Sequence, residues 1–288
     1  MKSISTPSPL PWPLPRAMPG WLPGGGGQDI EAAGFSSGAA LILLHLALQV
    51  EALPDALLRE RLSLRAAQLG AAMTGRREQA AEIRDEIMLL RPGDTPGPAG
   101  ALLLDWRRAT SRPVRLMTLA KLPTDRAARE ATPVGRAARA LEAAIAEAPK
   151  AETAALIRAD AELARAMGWQ HVVPILGASL SGRALRQSGA DLLLRCHIAV
   201  RQGAGEAYRQ AQELTRAAQA LRAVAPRLRS RASAQAVELF LSRDAVSPGG
   251  TLSGLMSDRA ARRFCDRLVE LGVARELTGR STFRLYGI

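Results

Sequence analysis

Aromatic side chains are scarce in this 288-residue chain: four Trp, two Tyr and four Phe, 3 % of the total. Apolar residues nevertheless make up 47 %, so the core has to be built from Leu, Ala, Val and Ile. That composition favours helices packed closely through Ala over sandwiches of Tyr-, Phe- and Val-rich strands. Lysine is nearly missing too. Lys2, Lys121 and Lys150 are the only three among 39 basic residues, which face 27 acidic ones for a net charge of +12. The positive charge is therefore almost all arginine, whose planar fork suits phosphates and guanine edges. A GC-rich genome gives the same bias through codon usage alone. Net charge supports a polyanionic partner without naming one.

Cysteine is limited to Cys196 and Cys265, far apart in sequence, which excludes a disulfide framework or a CxxC pair and predicts a reducing cytoplasm. The three histidines, His45, His171 and His197, form no HExxH and no Cys/His spacing for zinc, so no metal is expected. No Gly-Lys pair follows the glycine run, which removes a Walker phosphate loop. Cys196 and His197 are adjacent on a predicted helix and point about 100° apart, unlike a nucleophile and its base. No catalytic residue and no cofactor is assigned, and the chain is read as not an enzyme. Long apolar runs are lacking as well. The longest, Ala39 to Val50, is interrupted by His45 and is shorter than the roughly 20 residues of a membrane span. It predicts a buried helix, no membrane partner and a cytoplasmic protein, and the N-terminus does not resemble a signal peptide.

Residues 1–29 hold seven prolines (Pro7, Pro9, Pro11, Pro13, Pro15, Pro19 and Pro23) followed by Gly24–Gly27. Proline fixes φ and removes donors while the glycine run is entropically costly to order, so a disordered, partly extended tail is expected. Trp12 and Trp21 are expected to attach loosely. From there to residue 228 the pattern is helical. Ser36 or Ser37 caps a helix through Ala39–Leu53, and Pro54 opens the next, which carries Leu57, Leu58, Leu62, Leu64 and Leu69. A third carries Ala80, Ile83, Ile87 and Leu90, a rigid Pro/Gly loop follows at 91–98, and a fourth contains Leu102–Trp106. Further helices fit 134–147, 151–167, 174–186, 189–202, 205–224 and 232–243. No fixed repeat period survives.

Residues 229–288 differ. Thr251–Met256 fits a short helix, Ser257 caps a longer one to Leu271, and Gly272 stops it. Val273–Leu277 and Thr282–Tyr286 are β-prone runs around the turn Thr278-Gly279-Arg280-Ser281. This is the element order of a winged helix-turn-helix with a small β-hairpin, giving a mainly α fold: a multi-helix body followed by that module. On the helix after Ser257, Ala261, Cys265 and Leu268 share one face. Arg259, Arg262, Arg263 and Arg267 share the other with Asp266 and Glu270. Three arginines thus occupy the first two turns, the part of a recognition helix that enters the major groove. Arg280 at the wing tip and Arg284 on the returning strand suit phosphates or the minor groove. Asp266 and Glu270 are also spaced to pair with Arg262, Arg263 and Arg267 on a merely solvated face, and winged helices serve as protein-contact modules too.

In the body, Asp160 falls near the apolar face of its helix, where a carboxylate needs an arginine or a helix N-terminus as partner. A structural salt bridge is expected there. The Glu78, Glu82, Glu86 ladder beside Arg76, Arg77 and Arg84 reads as a solvated face, and Trp106 and Trp169 as core anchors.

Leu252-Ser253-Gly254-Leu255-Met256-Ser257-Asp258-Arg259-Ala260-Ala261-Arg262-Arg263-Phe264, then Arg267–Gly272, Arg275–Arg280 and Phe283–Gly287, resemble the tail of an uncharacterised bacterial domain-of-unknown-function family, number 1403. Arg91–Asp94, Pro96–Gly100 and Leu163-Ala164 with Gly168-Trp169 resemble its other hallmarks. The resemblance covers nearly all of the chain after residue 30 and implies a helical body of unassigned activity. The tail alone looks like the winged helix of MarR-type regulators and of the segment closing many Fic-type proteins. The Fic catalytic motif is missing here, and the body is much larger than that of a MarR-type repressor. The expected function is double-stranded DNA binding, as a transcriptional regulator or a plasmid or mobile-element accessory factor. In that reading the body supplies a homodimer or partner surface. The alternative is a helical adaptor whose winged helix docks a protein.

Overall fold

The computed structural model describes residues 15, 17–20, 29–91, 93–117, 132–228, 232–279 and 283–288. Among these are nine α-helices: α1 (Ile30–Ala47), α2 (Asp55–Met73), α3 (Ala80–Leu89), α4 (Pro98–Ser111), α5 (Pro133–Glu147), α6 (Glu152–Ala166), α7 (Gly189–Val224), α8 (Ser233–Ser242) and α9 (Asp258–Glu270). Two short strands, β1 (Arg275–Glu276) and β2 (Tyr286–Gly287), complete the set. The mainly helical architecture expected from the composition is the one observed. Most of the Pro/Gly tail, with Trp12 and Trp21, lies outside the described residues. Its described part touches α7, where the Tyr208 hydroxyl and Gln212 Nε2 both donate to the Pro15 carbonyl.

Three helical expectations fail for physical reasons. Helix α1 starts nine residues earlier than the pattern implies, because Asp29 caps it, accepting from the Glu31 and Ala32 amides at 3.1 and 3.3 Å. Ser36 and Ser37 are therefore interior residues, not caps. Segment 174–186 is not a helix but a buried turn ending in a short 3-10 segment at Ala184–Arg186. The segment is tethered by its backbone to α6, the Leu176 and Gly177 amides donating to Asp160 Oδ1 and Oδ2, at 2.8 and 2.9 Å. The two helices expected at 189–202 and 205–224 are one, α7, of 36 residues and roughly 54 Å. Gly203 does not break it. A Cβ there would lie 2.7 Å from the Ile175 carbonyl, so the glycine exists to let α7 pass over the 174–180 turn.

The larger core joins α1 to α7, with α1 laid along α7, α5 against α6, and α2 against α4. At its centre Trp106 of α4 is 1 % exposed and presses on Gly177, where a Cβ would stand 2.2 Å from the indole. Trp169 donates to His45 Nδ1 at 3.1 Å, which ties the end of α6 to α1. Both tryptophans are core anchors, as expected. A buried carboxylate that the sequence reading overlooks, Glu162, is held by Arg136 at 2.6 Å and Arg165 at 3.1 Å.

A second, smaller core gathers Ala236, Val237, Phe240 and Leu241 of α8, Val246, Leu252, the inner face of α9 and Tyr286. It also takes Ala218 and Leu221 from the end of α7, so the change from one core to the other falls inside that helix and not at residue 228. Phe240 and Phe264 meet with ring centroids 6.4 Å apart. A polar seam joins the two cores. Asp244 is buried between Arg61 of α2 and Arg84 of α3, at 3.2 and 2.6 Å, and Arg61 also donates to the Ile288 carbonyl. Burial pushes the Arg61 guanidinium below its ordinary pKa, with Asp244 opposing.

Candidate nucleic-acid interface

The segment after α8 is organised by Ser247. Its hydroxyl accepts from the Gly250 and Thr251 amides, both at 3.1 Å, and its own amide donates to Thr251 Oγ1 at 3.1 Å. With Gly249, Gly250 and Gly254 close by, these side-chain bonds compete with a helical ladder. Thr251–Met256 is accordingly a run of turns around the buried Leu252, which corrects the short helix expected there. Helix α9 then begins after Ser257, whose backbone is extended but whose hydroxyl makes no cap bond. It ends at Gly272, whose φ of +69° is the left-handed stop that the sequence indicates.

The hairpin is narrower than the β-prone runs imply. Arg275 pairs with Gly287 and Glu276 with Tyr286, antiparallel, and Tyr286 also bridges Val246 through bonds of 2.8 and 2.9 Å. The lateral order is therefore Val246, Tyr286, Glu276. Between the strands the Leu277 amide donates to Leu285 at 2.7 Å, and Thr278 Oγ1 donates to the Phe283 carbonyl at 3.0 Å.

All six charged residues assigned to the outer face of α9 (Arg259, Arg262, Arg263, Asp266, Arg267 and Glu270) are exposed, while Ala261, Phe264, Cys265 and Leu268 are buried. Their pairing is only partly the one expected. Arg267 meets Glu270 at 2.9 Å, as the spacing implies. Arg262 turns back to Asp258 at 3.0 Å instead of forward to Asp266. Asp266 instead accepts from the Tyr286 hydroxyl at 3.3 Å, which locks the helix to β2. Among the described residues Arg259 and Arg263 have no carboxylate partner. Arg284 is exposed beside the start of β2, 3.9 Å from Glu276. Arg280 lies outside the described residues. The structure thus brings Arg259, Arg262, Arg263 and Arg267 onto one solvent face, two of them already neutralised. Exposed ion pairs of this kind are worth at most about 1 kcal/mol, so a phosphate can displace them.

The other residues singled out in the sequence prove structural. Among the described residues Asp160 has no arginine partner, and it is completely buried. Its carboxyl is pushed up to about 7 by burial, against the amide donors of residues 175–177. The expected salt bridge is thus replaced by backbone amides, which neutralise nothing but satisfy both oxygens. The Glu78, Glu82, Glu86 ladder is more than a solvated face. Glu82 accepts from the Gln79 amide at 2.6 Å, and Glu86 accepts from the Gly97 amide. Burial pushes the Cys196 and Cys265 thiols up to about 12, helped by Asp160 and Asp266 respectively. Gly34-Phe35-Ser36-Ser37-Gly38 has a GxSxG spacing, although the sequence reading finds no such motif. Ser36 and Ser37 lie inside α1 and are 1 % exposed, not on a strand-to-helix elbow. Ser37 Oγ lies 2.9 Å from the Gly34 carbonyl and 2.7 Å from His197 Nδ1, so it is tied down inside the helix pair. Burial lowers the His197 pKa.

No curated protein and no solved structure matches this chain. A family model does, over residues 12–288, nearly the full length of both cores and the seam between them. The chain belongs to the family described as protein of unknown function (DUF1403).

Proposed function

We propose that the C-terminal unit is a winged helix that binds double-stranded DNA through α9 and the hairpin, without catalysis. The observation that carries the reading is the pairing order Val246, Tyr286, Glu276 behind α9. In a winged helix the strand after the first helix pairs with the last strand, which pairs with the strand after the recognition helix. The same lateral order is found here, with the turns at 251–256 standing where the second helix would be. Arg259 and Arg263, unpaired on the first two turns of α9, would reach base edges or phosphates. Arg262 and Arg267 would exchange Asp258 and Glu270 for phosphate oxygens, and Arg284 with Arg280 would grip the backbone.

A second reading, an adaptor whose α9 face docks a protein, is favoured by a different observation. The face is charge-mixed, with two internal ion pairs and Val269 40 % exposed among them. Fluorescence anisotropy of the full chain on random duplex DNA separates the two. The DNA reading expects binding that the double variant Arg259→Glu/Arg263→Glu weakens at least tenfold with thermal stability unchanged. Equal binding by both proteins removes α9 from the interface, and no binding by the parent chain leaves the adaptor. Truncation at residue 228 is a poorer test, because it strips Asp244 from Arg61 and Arg84.

A further inference from the structure

We propose that the helical body holds a binding site for a small dianionic ligand of the phosphomonoester class, formed by Arg65, Arg201 and Arg209. The site is a half-open pocket of about 480 Å³ between α2, α7 and the 174–180 turn, with Met18 of the N-terminal segment on one side and the exposed Arg65 and Arg209 at its rim. That volume falls in the range of small-molecule sites. Three guanidinium groups and one carboxylate, Glu206, line it, for a local charge of +2.

The donors are arranged for a ligand that the chain itself does not supply. Glu206 is occupied by Arg209 one helical turn away. Arg65 spends its Nε on the Ala178 carbonyl at 3.1 Å. That bond aims the guanidinium from the 174–180 turn and leaves its two terminal amino groups for a ligand. Arg201 has no carboxylate partner among the described residues, and its Nε is buried without any hydrogen-bond acceptor. A buried donor left unsatisfied is costly, and such groups are rare in folded proteins unless a ligand, an ion or an ordered water answers them. A phosphomonoester dianion matches both the +2 charge and the paired forks of Arg65 and Arg201. Leu69 and Met18 give an apolar wall for the ester group.

The site lies in the first core and does not depend on the winged-helix reading.

Calorimetric titration of the full chain with phenyl phosphate, inorganic phosphate and benzoate, at constant ionic strength, tests the assignment. Phenyl phosphate is expected to bind at least tenfold more tightly than monoanionic benzoate, with inorganic phosphate between them. Arg201→Gln is expected to lose at least tenfold in phenyl phosphate affinity. Arg65→Lys, which keeps the charge but loses the fork and the Ala178 tether, is expected to lose several-fold and guards against a misfolded Arg201 variant. Arg259→Glu/Arg263→Glu is expected to leave the titration unchanged, so failure here and failure of the DNA reading are distinguishable. Phenyl phosphate binding no tighter than benzoate, affinity unaffected by both pocket variants, or displacement of phenyl phosphate by random duplex would each overturn the proposal.

Discussion

Replacing Asp160 with Asn changes how the stability of this protein depends on pH, in a direction fixed by the burial of that carboxyl. In the folded chain the group titrates at about 7, whereas its ordinary value is 3.8. Between those values the unfolded chain has released the proton and the folded chain has kept it, so stability falls as pH rises. The contribution is fully present below pH 4 and lost by the time pH passes about 7. The gap between 3.8 and about 7 corresponds to about 4 kcal/mol. Asn is neutral at every pH, and one of its ends sets an N–H₂ against the Leu176 or Gly177 amide, because both amides need acceptors. That mismatch costs about 1–3 kcal/mol. At pH 3, where the contribution is fully present, Asp160→Asn is therefore expected to be less stable than the parent by about 1–3 kcal/mol. By pH 8 the order reverses, since the parent has lost the larger amount. Urea unfolding of both proteins at pH 3, 5, 6, 7 and 8 gives the difference directly, with other titrating groups cancelling. A difference that stays constant across the series would refute the reasoning.

Gly177→Ala puts a methyl 2.2 Å from the Trp106 ring and is expected to lower stability by about 3 kcal/mol or more, read as a fall in Tm. Asp244→Ala leaves Arg61 and Arg84 facing each other without a counter-ion at the seam. It is expected to cost about 3–5 kcal/mol in denaturant unfolding, and to speed amide exchange in 244–288 more than in α5 and α6. Cys196 and Cys265, with thiols pushed up to about 12, are expected to resist an aromatic disulfide reagent at pH 8 until the chain unfolds. Rapid labelling of either in the folded protein would contradict their burial.

How much of this was legible in the sequence depends on how local the cause is. Helices α2 to α6, α8 and α9 follow the apolar spacing, and the stops at Gly75 and Gly272 follow from glycine in the left-handed region. The sidedness of α9 was equally readable, since Ala261, Cys265 and Leu268 recur at helical spacing. What was not readable is what a distant partner decides. Segment 174–186 has a helical composition, and the Asp160 carboxylate that holds its Leu176 and Gly177 amides lies sixteen and seventeen residues away. Gly203 reads as a helix break until the Ile175 carbonyl is found beneath it. Asp244 sits 183 residues from Arg61 and 160 from Arg84, with no local pattern to announce the seam. The cavity arginines are equally scattered. A faint signal existed at Arg201, a charged residue flanked on α7 by the buried Val200 and Ala204.

The central claim, that the outer face of α9 engages duplex DNA, is tested most directly by the salt dependence of binding. Anisotropy titrations of the full chain and of Arg259→Ala/Arg263→Ala, from low to moderate salt, give the slope of log affinity against log salt concentration. Each phosphate contact contributes about 0.9 to that slope, so the double variant is expected to be shallower by about 2. Identical slopes, or no binding by the parent chain at low salt, would contradict the account.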